Sequence, residues 1–346
     1  MQSSAISHIQ ALTVHRVGNK NEGEPLTIGQ SPVKIDESIG ALLSTYFLSA
    51  FKSEEYYQFW HHDGLHLHEV HTYVSAIFAD PDSLQQQSVR LAEQLYAQST
   101  HPRIKGGEFY VVYFKGIMAA GEPLDGVGLF KSENKDTFLN VYPADDHFEI
   151  ESRQGININK LDKGCLIFNT EKESGYLVSV VDNTNKGAEA RYWIDDFLQL
   201  RQRADKYFNT EATLTIYKDY ITQQLPESYD ISRADQADML NRSLHFFKDR
   251  DSFELETFNQ EVLHYPEYIN GFNDYKKQYE SQRELQIANS FDISDAAVKR
   301  QQRHYKSVIK LDKNFHIYIH GNRELIEQGI DENGRKYYKL YYEQEA

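Results

Sequence analysis

Cysteine is almost missing from this chain, which has one cysteine in 346 residues. A single thiol, Cys165, cannot form an internal disulfide, and this scarcity favours a reducing compartment. No apolar run approaches the 18 or so residues that a membrane-spanning helix needs, and the opening MQSSAISHIQ lacks the basic start and apolar core of a signal peptide. We therefore expect a cytoplasmic protein that does not enter a membrane.

Several motifs that indicate a defined chemistry are also missing. The sequence contains no GxxxxGK[ST], no GxGxxG and no GxSxG, which argues against the commonest nucleotide-binding and serine-hydrolase sites. Cys165 lies within the apolar stretch GCLIF, so we expect a buried small side chain rather than a nucleophile. These motifs therefore give no catalytic residue and no metal ligand to assign.

Positive charge is scarce overall, because 37 Lys and Arg face 52 Asp and Glu and leave a net charge of -15. Such a chain repels DNA at long range, so a nucleic-acid role requires a local basic patch. One stretch, AVKRQQRHYKSVIKLDK (297–313), provides it with a single acid, Asp312. The candidate DNA-binding residues are Lys299, Arg300, Arg303, Lys306, Lys310 and Lys313.

The spacing of these cations suggests how they would be presented. If the chain were helical from 294 to 310, four of them would form one stripe about 17 Å long. A stripe of that length faces several phosphates, with Gln301, Gln302 and Tyr305 as hydrogen-bonding neighbours. A solvated helix face that offsets the acids of 251–295 is the alternative. We expect a helix over 294–305 only, since β-rich SVIKL begins near Ser307 and would shorten the stripe.

Strand and helix patterns alternate in blocks along the chain. Short strands with turn residues between them indicate an antiparallel meander, because parallel crossovers need a dozen or more residues. The predicted strands of this meander are 108–120, 127–133, 136–142, 147–152, 164–170 and 176–182. Helical patterns precede it at 37–51, 69–78 and 83–98.

A mostly helical region follows from Thr210 to about Tyr305, and the chain ends in strands with Asn333-Gly334 as a hairpin turn. The predicted fold class is α+β: an N-terminal antiparallel sheet with flanking helices, then a helical region closed by a C-terminal β-meander. We expect two domains, 1–205 and 206–346.

Histidines cluster in WHHDGLHLHEVH (60–71). The cluster comprises His61, His62, His66, His68 and His71. Histidine is the commonest metal ligand, and two pairs within the cluster have a spacing that brings nitrogens together. The zinc-protease pattern is not met, because His68 and His71 have one residue too few between them. Surface or partly buried histidines are the simpler interpretation, and the sequence leaves metal binding open.

An acid before a strand and Glu-x-Lys at its end resemble the arrangement of metal-dependent nucleases. Here Asp125 and Glu133 would hold Mg²⁺ while Lys135 supports the attacking water. Glu-x-Lys triplets arise by chance in a chain this rich in charge. The nuclease hypothesis is kept as an alternative that requires the three side chains to converge.

Several segments together resemble the bacterial nucleoid-associated proteins of the YejK/NdpA type. The segments that carry the resemblance are HPRIKGGEFYVVYF (101–114), VGLFKSENKDTFL (127–139), GININKLDKGCLIFN (155–169), ARYWIDDFL (190–198), FDISDAAVKRQQRHYKSVIKLDKNFHIYIHG (291–321) and GRKYYKLYYEQE (334–345). The resemblance covers nearly the whole chain through the order and spacing of many segments. It implies association with the nucleoid and binding to double-stranded DNA, without a defined active site. From the resemblance we expect no enzyme activity and no cofactor.

Residues and resemblance together favour a protein that binds double-stranded DNA with little sequence preference. Lys336 and Lys339 of the last predicted hairpin would add to the electrostatic contact. Dimerisation would give two patches per assembly and hence avidity, with the tyrosine-rich KYYKLYY and the terminal edge strands as candidate surfaces. A protein-interaction module that a partner recruits to the nucleoid is the main alternative, and it requires an exposed apolar patch.

Overall fold

A computed structural model of the chain describes residues 8–119, 121–184, 192–305, 308–319 and 323–344. The chain divides into two compact units, an N-terminal unit of residues 1–203 and a C-terminal unit of residues 204–346. Each unit has its own hydrophobic core. The helices of the described residues include none that is long and apolar enough to span a membrane.

Ten strands lie in the described part of the N-terminal unit. They are β1 (His8–Val17), β2 (Leu26–Thr27), β3 (Tyr57–Phe59), β4 (Gly107–Ala119), β5 (Glu122–Ser132), β6 (Asp136–Ala144), β7 (His147–Gly155), β8 (Lys163–Phe168), β9 (Leu177–Asp182) and β10 (Leu200–Gln202). Eight of them form one sheet in the order β10-β3-β9-β8-β5-β4-β1-β2, in which all neighbours are antiparallel.

Helices cover both faces of this sheet: α1 (Glu37–Leu48) on one face, α2 (Glu69–Ala79) and α3 (Leu84–Gln98) on the other. Strand β4 shows why, since successive side chains of a strand point to opposite faces. Phe109 and Val111 belong to the core under α2 and α3, while Tyr110 and Val112 belong to the core under α1. A strand buried on both faces is an unbroken apolar run rather than an alternating one.

Strands β6 and β7 leave the main sheet and pair only with each other. The sequence predicted that they continue the meander. They cannot do so because β5 pairs with β4 along one edge and with β8 along the other. The segment between β5 and β8 therefore projects as a separate two-stranded hairpin.

The C-terminal unit contains six α-helices among its described residues. They are α4 (Lys206–Asp219), α5 (Leu225–Ser228), α6 (Arg233–Lys248), α7 (Leu255–Val262), α8 (Pro266–Arg283) and α9 (Asp295–Gln302). Asp205 and Ser232 cap α4 and α6 by accepting a backbone N–H in the first turn, which satisfies an otherwise unpaired donor. Aromatic rings dominate the core, and Tyr217 lies edge-on to Phe258 and Phe272.

Six short strands form three antiparallel pairs in the described part of this unit, and the last two pairs are hairpins. They are β11 (Ser252–Glu254) with β12 (Ser290–Asp292), β13 (Val308–Leu311) with β14 (Phe315–Tyr318), and β15 (Ile326–Ile330) with β16 (Lys336–Leu340). Asn333-Gly334 forms the predicted turn, where Gly334 has φ +77° and its amide donates to the Asp331 carbonyl. The predicted α+β class is confirmed, with separate C-terminal hairpins forming the β-rich end.

Candidate nucleic-acid interface

Helix α9 carries the first part of the predicted basic patch. Ser294 caps it by accepting the amide of Ala297, and Ala297 and Val298 are buried. The helix ends at Gln302, and β13 begins at Val308. The continuous helical stripe that would have reached Lys310 is therefore not formed, and α9 is even shorter than the predicted helix over 294–305.

Lys299 and Arg303 project from α9 and its C-terminal cap into solvent. Neither forms an ion pair with another residue in the described part of the chain. Arg300 is more constrained, because its Nη1 donates to the Tyr207 hydroxyl at 2.9 Å and its Nε lies 3.5 Å from a carboxylate oxygen of Glu211. About half of the Arg300 side chain remains exposed, at 49%.

Two of the expected hydrogen-bonding neighbours face the core instead. Gln301 is buried and its amide donates to Glu211 and Thr215. Tyr305 is buried and its hydroxyl donates to the Leu214 carbonyl. Both side chains fasten α9 and the segment after it to α4, so they are unsuited to contact DNA.

The β13–β14 hairpin carries the second part of the patch. Ile309 is buried against Ala234 and Ala237 of α6, which turns the neighbouring Lys310 outward. Lys310 lies directly opposite His316, and Lys313 is exposed in the turn. Lys310 and Lys313 make no ion pair within the described residues, and Lys306 lies outside those residues.

His316 and Tyr318 join the patch, although the sequence pattern did not single them out. Strand pairing places them on the same outward face as Lys310, and 64% of Tyr318 is exposed. The alternation of NFHIYI was the signal that could have found them, because His316 and Tyr318 are two residues apart. The hairpin therefore presents cationic and aromatic groups together on one face.

The two lysines of the last hairpin differ in their surroundings. Lys339 lies 3.3 Å from a Glu327 carboxylate oxygen and 4.9 Å from the Tyr341 ring centroid. Lys336 is exposed at the start of β16. Of the two, Lys336 is therefore better placed to supply the additional phosphate contact that the sequence suggested.

The histidine cluster is divided between core and surface. His68 caps α2, and its Nδ1 accepts the amide of His71 at 3.1 Å. Its Nε2 lies 3.2 Å and 3.3 Å from the carbonyl oxygens of Leu198 and Gln199. A carbonyl only accepts, so Nε2 carries the proton, Nδ1 carries none and the ring is neutral. Burial lowers the pKa of His68 to about 4.

His71 is also structural. Its ring packs between Phe59 and Tyr176 at centroid distances of 5.9 Å and 5.2 Å, and burial lowers its pKa. His68 and His71 thus use their nitrogens and ring faces to hold α2 against the sheet.

One group of possible metal ligands remains at the surface among the described residues. The ligand atoms of His61, His62 and Asp63 lie within 4.8 Å of one another. His62 Nε2 is 2.7 Å from an Asp63 carboxylate oxygen, and His61 Nδ1 accepts the Asp63 amide at 3.2 Å. These mutual contacts account for the arrangement, and we assign no metal to it.

The three residues of the nuclease hypothesis do not converge. Asp125 lies near the start of β5 and Glu133 follows its end, a separation of about 26 Å at 3.3 Å per residue. Asp125 accepts from the Tyr113 hydroxyl at 3.0 Å, while Lys135 pairs with Glu108. These residues do not form a shared Mg²⁺ site.

Glu133 instead belongs to a buried charge cluster. Its carboxylate lies 3.2 Å from Lys131 and 3.7 Å from Lys163, and it accepts from the Tyr192 hydroxyl at 2.9 Å. Both lysine side chains are fully buried, and Lys163 also pairs with Asp182 at 2.9 Å. The cluster ties β5, β8 and β9 to the part of the chain around Tyr192.

Cys165 is fully buried in β8, and burial raises the pKa of its thiol well above the ordinary value. A protonated, inaccessible thiol is a poor nucleophile. The expectation of a small core side chain is confirmed.

Most of the chain matches the model of one known protein family. A family model described as "Nucleoid-associated protein YejK" matches residues 13–335. The matched range includes both the main sheet and α9 with the β13–β14 hairpin. No curated protein matches the chain.

Proposed function

The chain belongs to the YejK family of nucleoid-associated proteins, and from that premise we propose that it binds double-stranded DNA with little sequence preference. Contact would be made by a basic patch, defined as Lys299, Arg300, Arg303, Lys306, Lys310 and Lys313. The proposal places the protein at the nucleoid in the cytoplasm, with a binding role rather than an enzymatic one.

One observation carries the proposal: Lys299, Arg303, Lys310 and Lys313 are exposed and unpaired within the described residues. Cations without a carboxylate partner can displace counterions from phosphates, which is the main source of sequence-independent DNA affinity. Exposed cations elsewhere are often neutralised, as Arg250 is by Glu261 at 2.8 Å.

Nothing in the described part of the patch calls for base reading. Contacts with phosphate fix position on a duplex without carrying sequence information, whereas specificity needs side chains directed at base edges. Helix α9 is eight residues long and is held to α4 by its buried face. Its exposed residues are Asp295, Lys299, Arg300 and Gln302, and the two cations among them suit contact with the backbone.

The proposal is tested by titrating the purified protein against a fluorescent duplex at several salt concentrations. We expect a log–log salt slope of about -3 or steeper, at about 0.9 per phosphate contact. The double variant Lys299→Gln/Arg303→Gln is expected to reduce the magnitude of that slope by about 2 and to weaken binding to every duplex sequence alike.

A matched control is Lys34→Gln/Lys52→Gln, which removes two exposed lysines of the N-terminal unit and changes net charge by the same amount. Its slope should equal that of the parent. Equal weakening in the two double variants would mean that overall charge governs binding. No binding by the parent near physiological salt would refute direct DNA contact.

A second function has its own supporting observation. The β6–β7 hairpin exposes large apolar side chains, including Leu139 at 72% and Phe148 at 71%, as a partner-recruited interaction module requires. The net charge of -15 also disfavours direct contact with DNA. In that case the pure protein would bind DNA negligibly, and the titration separates the two functions.

A further inference from the structure

The β6–β7 hairpin has one apolar face and one polar face. Cross-strand pairs that share a face are Leu139 with Ser152, Val141 with Ile150 and Pro143 with Phe148. The other face carries Asn140 with Glu151, Tyr142 with Glu149 and, at the base, Phe138 with Arg153. The polar face is internally bonded, as in the 2.9 Å hydrogen bond from Tyr142 to Glu149. We call Leu139, Val141, Pro143, Phe148 and Ile150 the apolar hairpin face.

The apolar hairpin face is open to solvent. Leu139 is 72% exposed, Val141 56%, Phe148 71% and Ile150 67%. A two-stranded hairpin is marginally stable alone in water, and a contiguous exposed apolar patch of several hundred Å² often marks an interaction site. The alternation therefore indicates that something packs on this face.

The charges around the hairpin exclude two classes of occupant. Its turn carries Asp145 and Asp146, and Glu149 and Glu151 follow on β7. Phosphates of DNA and anionic lipid headgroups are repelled by such a cluster. The occupant is therefore another protein surface.

We propose that the occupant is a second copy of this chain, with two apolar hairpin faces packed against each other about a two-fold axis. The Val141–Ile150 pair marks the centre, because Asp146 at the turn and Gln154 at the base lie equally far from Ile150 along β7. The two-fold axis passes through this pair and runs perpendicular to the strands, between the two faces. It places the turn of one hairpin over the base of the other.

The side chains suit this antiparallel arrangement. Because the facing strands run in opposite directions from Ile150, Phe148 of one copy faces Ser152 of the other. In the same way, Leu139 of one copy faces Pro143 of the other on either side of Val141. In these two pairs a large side chain meets a smaller one, which is how facing layers interdigitate, while Val141 and Ile150 at the centre meet the same residues of the other copy. The reverse orientation, turn beside turn, would bring the acidic turns of both copies together and is disfavoured.

The turn and the base of the hairpin differ in charge. The turn carries Asp145 and Asp146, whereas at the base Arg153 pairs with Glu151 at 2.6 Å and Lys160 with Asp136 at 3.0 Å. The antiparallel arrangement therefore places an acidic turn over a base whose charges are balanced, which avoids the repulsion between two acidic turns.

The available area fits a dimer. The exposed fractions correspond to about 500 Å² of apolar surface per copy, since large side chains present roughly 150–200 Å² each when free. Two such faces bury about 1,000 Å², which is near the lower end of what specific complexes bury, roughly 1,200–2,000 Å². The proposal stands independently of DNA binding.

The first test is sedimentation velocity on the pure protein over a range of concentrations, without DNA. We expect a monomer–dimer equilibrium whose dissociation constant rises at least tenfold in Val141→Lys. The matched control is Asn140→Lys, which places the same charge one residue away on the polar face and should leave the constant unchanged. A parent that is monomeric throughout, or equal effects in both variants, would overturn the proposal.

The second test leaves the apolar hairpin face intact. Asp146→Cys combined with Gln154→Cys is treated with a short bis-maleimide, to which the buried Cys165 is inaccessible. The two sites lie about 27 Å apart within one copy, too far for an internal link. A cross-linked dimer from the double variant, but not from Asp146→Cys alone, is expected. Linkage by Asp146→Cys alone would refute the antiparallel arrangement.

Discussion

Individual buried polar side chains in the N-terminal unit are held in one ionisation state by their partners. His68 is neutral because its Nδ1 accepts a backbone N–H, while its Nε2 donates to backbone carbonyl oxygens. Lys131, Lys163 and Glu133 are buried as an ion cluster rather than as isolated charges. Burial without a partner costs several kcal/mol, so each of these residues should affect stability more than its exposed neighbours.

His68 should make stability depend on pH. Its pKa is lowered from 6.5 to about 4 in the folded chain, so only the unfolded state gains this proton between those values. The contribution is fully present above pH 6.5 and is lost as pH falls to 4, by at most about 3 kcal/mol. Urea unfolding at a series of pH values measures it.

Carboxylates titrate in the same window, so the comparison is with a variant. His68→Asn retains a capping side chain but cannot titrate, and its stability should fall less steeply from pH 6.5 to 4 than that of the parent. His66→Asn, at an exposed position, should follow the parent. Parallel pH profiles for all three proteins would contradict the assignment.

Lys163 should be far more sensitive to replacement than its neighbour Lys160. Lys163→Met would remove the buried cation that Asp182 and Glu133 share, which costs about 3–5 kcal/mol. Lys160→Met removes an exposed pair with Asp136, worth under about 1 kcal/mol. Chemical unfolding measures the free energy of unfolding of both variants. Equal losses would show that the buried ion cluster contributes no more to stability than an exposed ion pair.

Two glycines within regular secondary structure differ in how much space surrounds them. At Gly107, where β4 begins, an added Cβ would lie 1.9 Å from the Ser132 carbonyl oxygen. At Gly40, inside α1, the nearest atom to an added Cβ is the Ile35 Cδ1 at 3.9 Å. Gly107 is therefore required for the close approach of β4 and β5, whereas Gly40 has room for a larger side chain.

The same substitution should therefore have opposite effects at these positions. Gly107→Ala forces β4 and β5 apart and should cost about 1–3 kcal/mol. Gly40→Ala adds helix propensity without a clash and should stabilise by about 0.5–1 kcal/mol. Thermal melts should shift down for Gly107→Ala and up for Gly40→Ala, and shifts of the same sign would contradict the argument.

At the scale of the whole molecule, an acidic chain presents its unpaired cations locally. A net charge of -15 limits long-range attraction to DNA, while the basic patch acts within about a Debye length, roughly 8–10 Å at physiological salt. A dimer through the apolar hairpin face would carry two patches, which raises affinity through effective concentration when both reach one duplex.

The sequence alone determined the features that depend on neighbouring residues. Strands β4, β8 and β9 were predicted within a few residues because apolar and β-branched runs bounded by turn residues are local signals. The Asn333-Gly334 turn was predicted for the same reason. The order of segments was also sufficient to identify the family.

Tertiary structure decided everything that depends on residues far apart in the chain. Tyr305 and Gln301 bond to α4, and β13 follows close behind, so α9 ends before its cations can form a long stripe. Asp125 and Glu133 lie eight residues apart at opposite ends of β5, whereas Glu133 and Tyr192 meet across 59 residues. Local periodicity carries no information about such contacts, because they are fixed by which strands pair and what the core then buries.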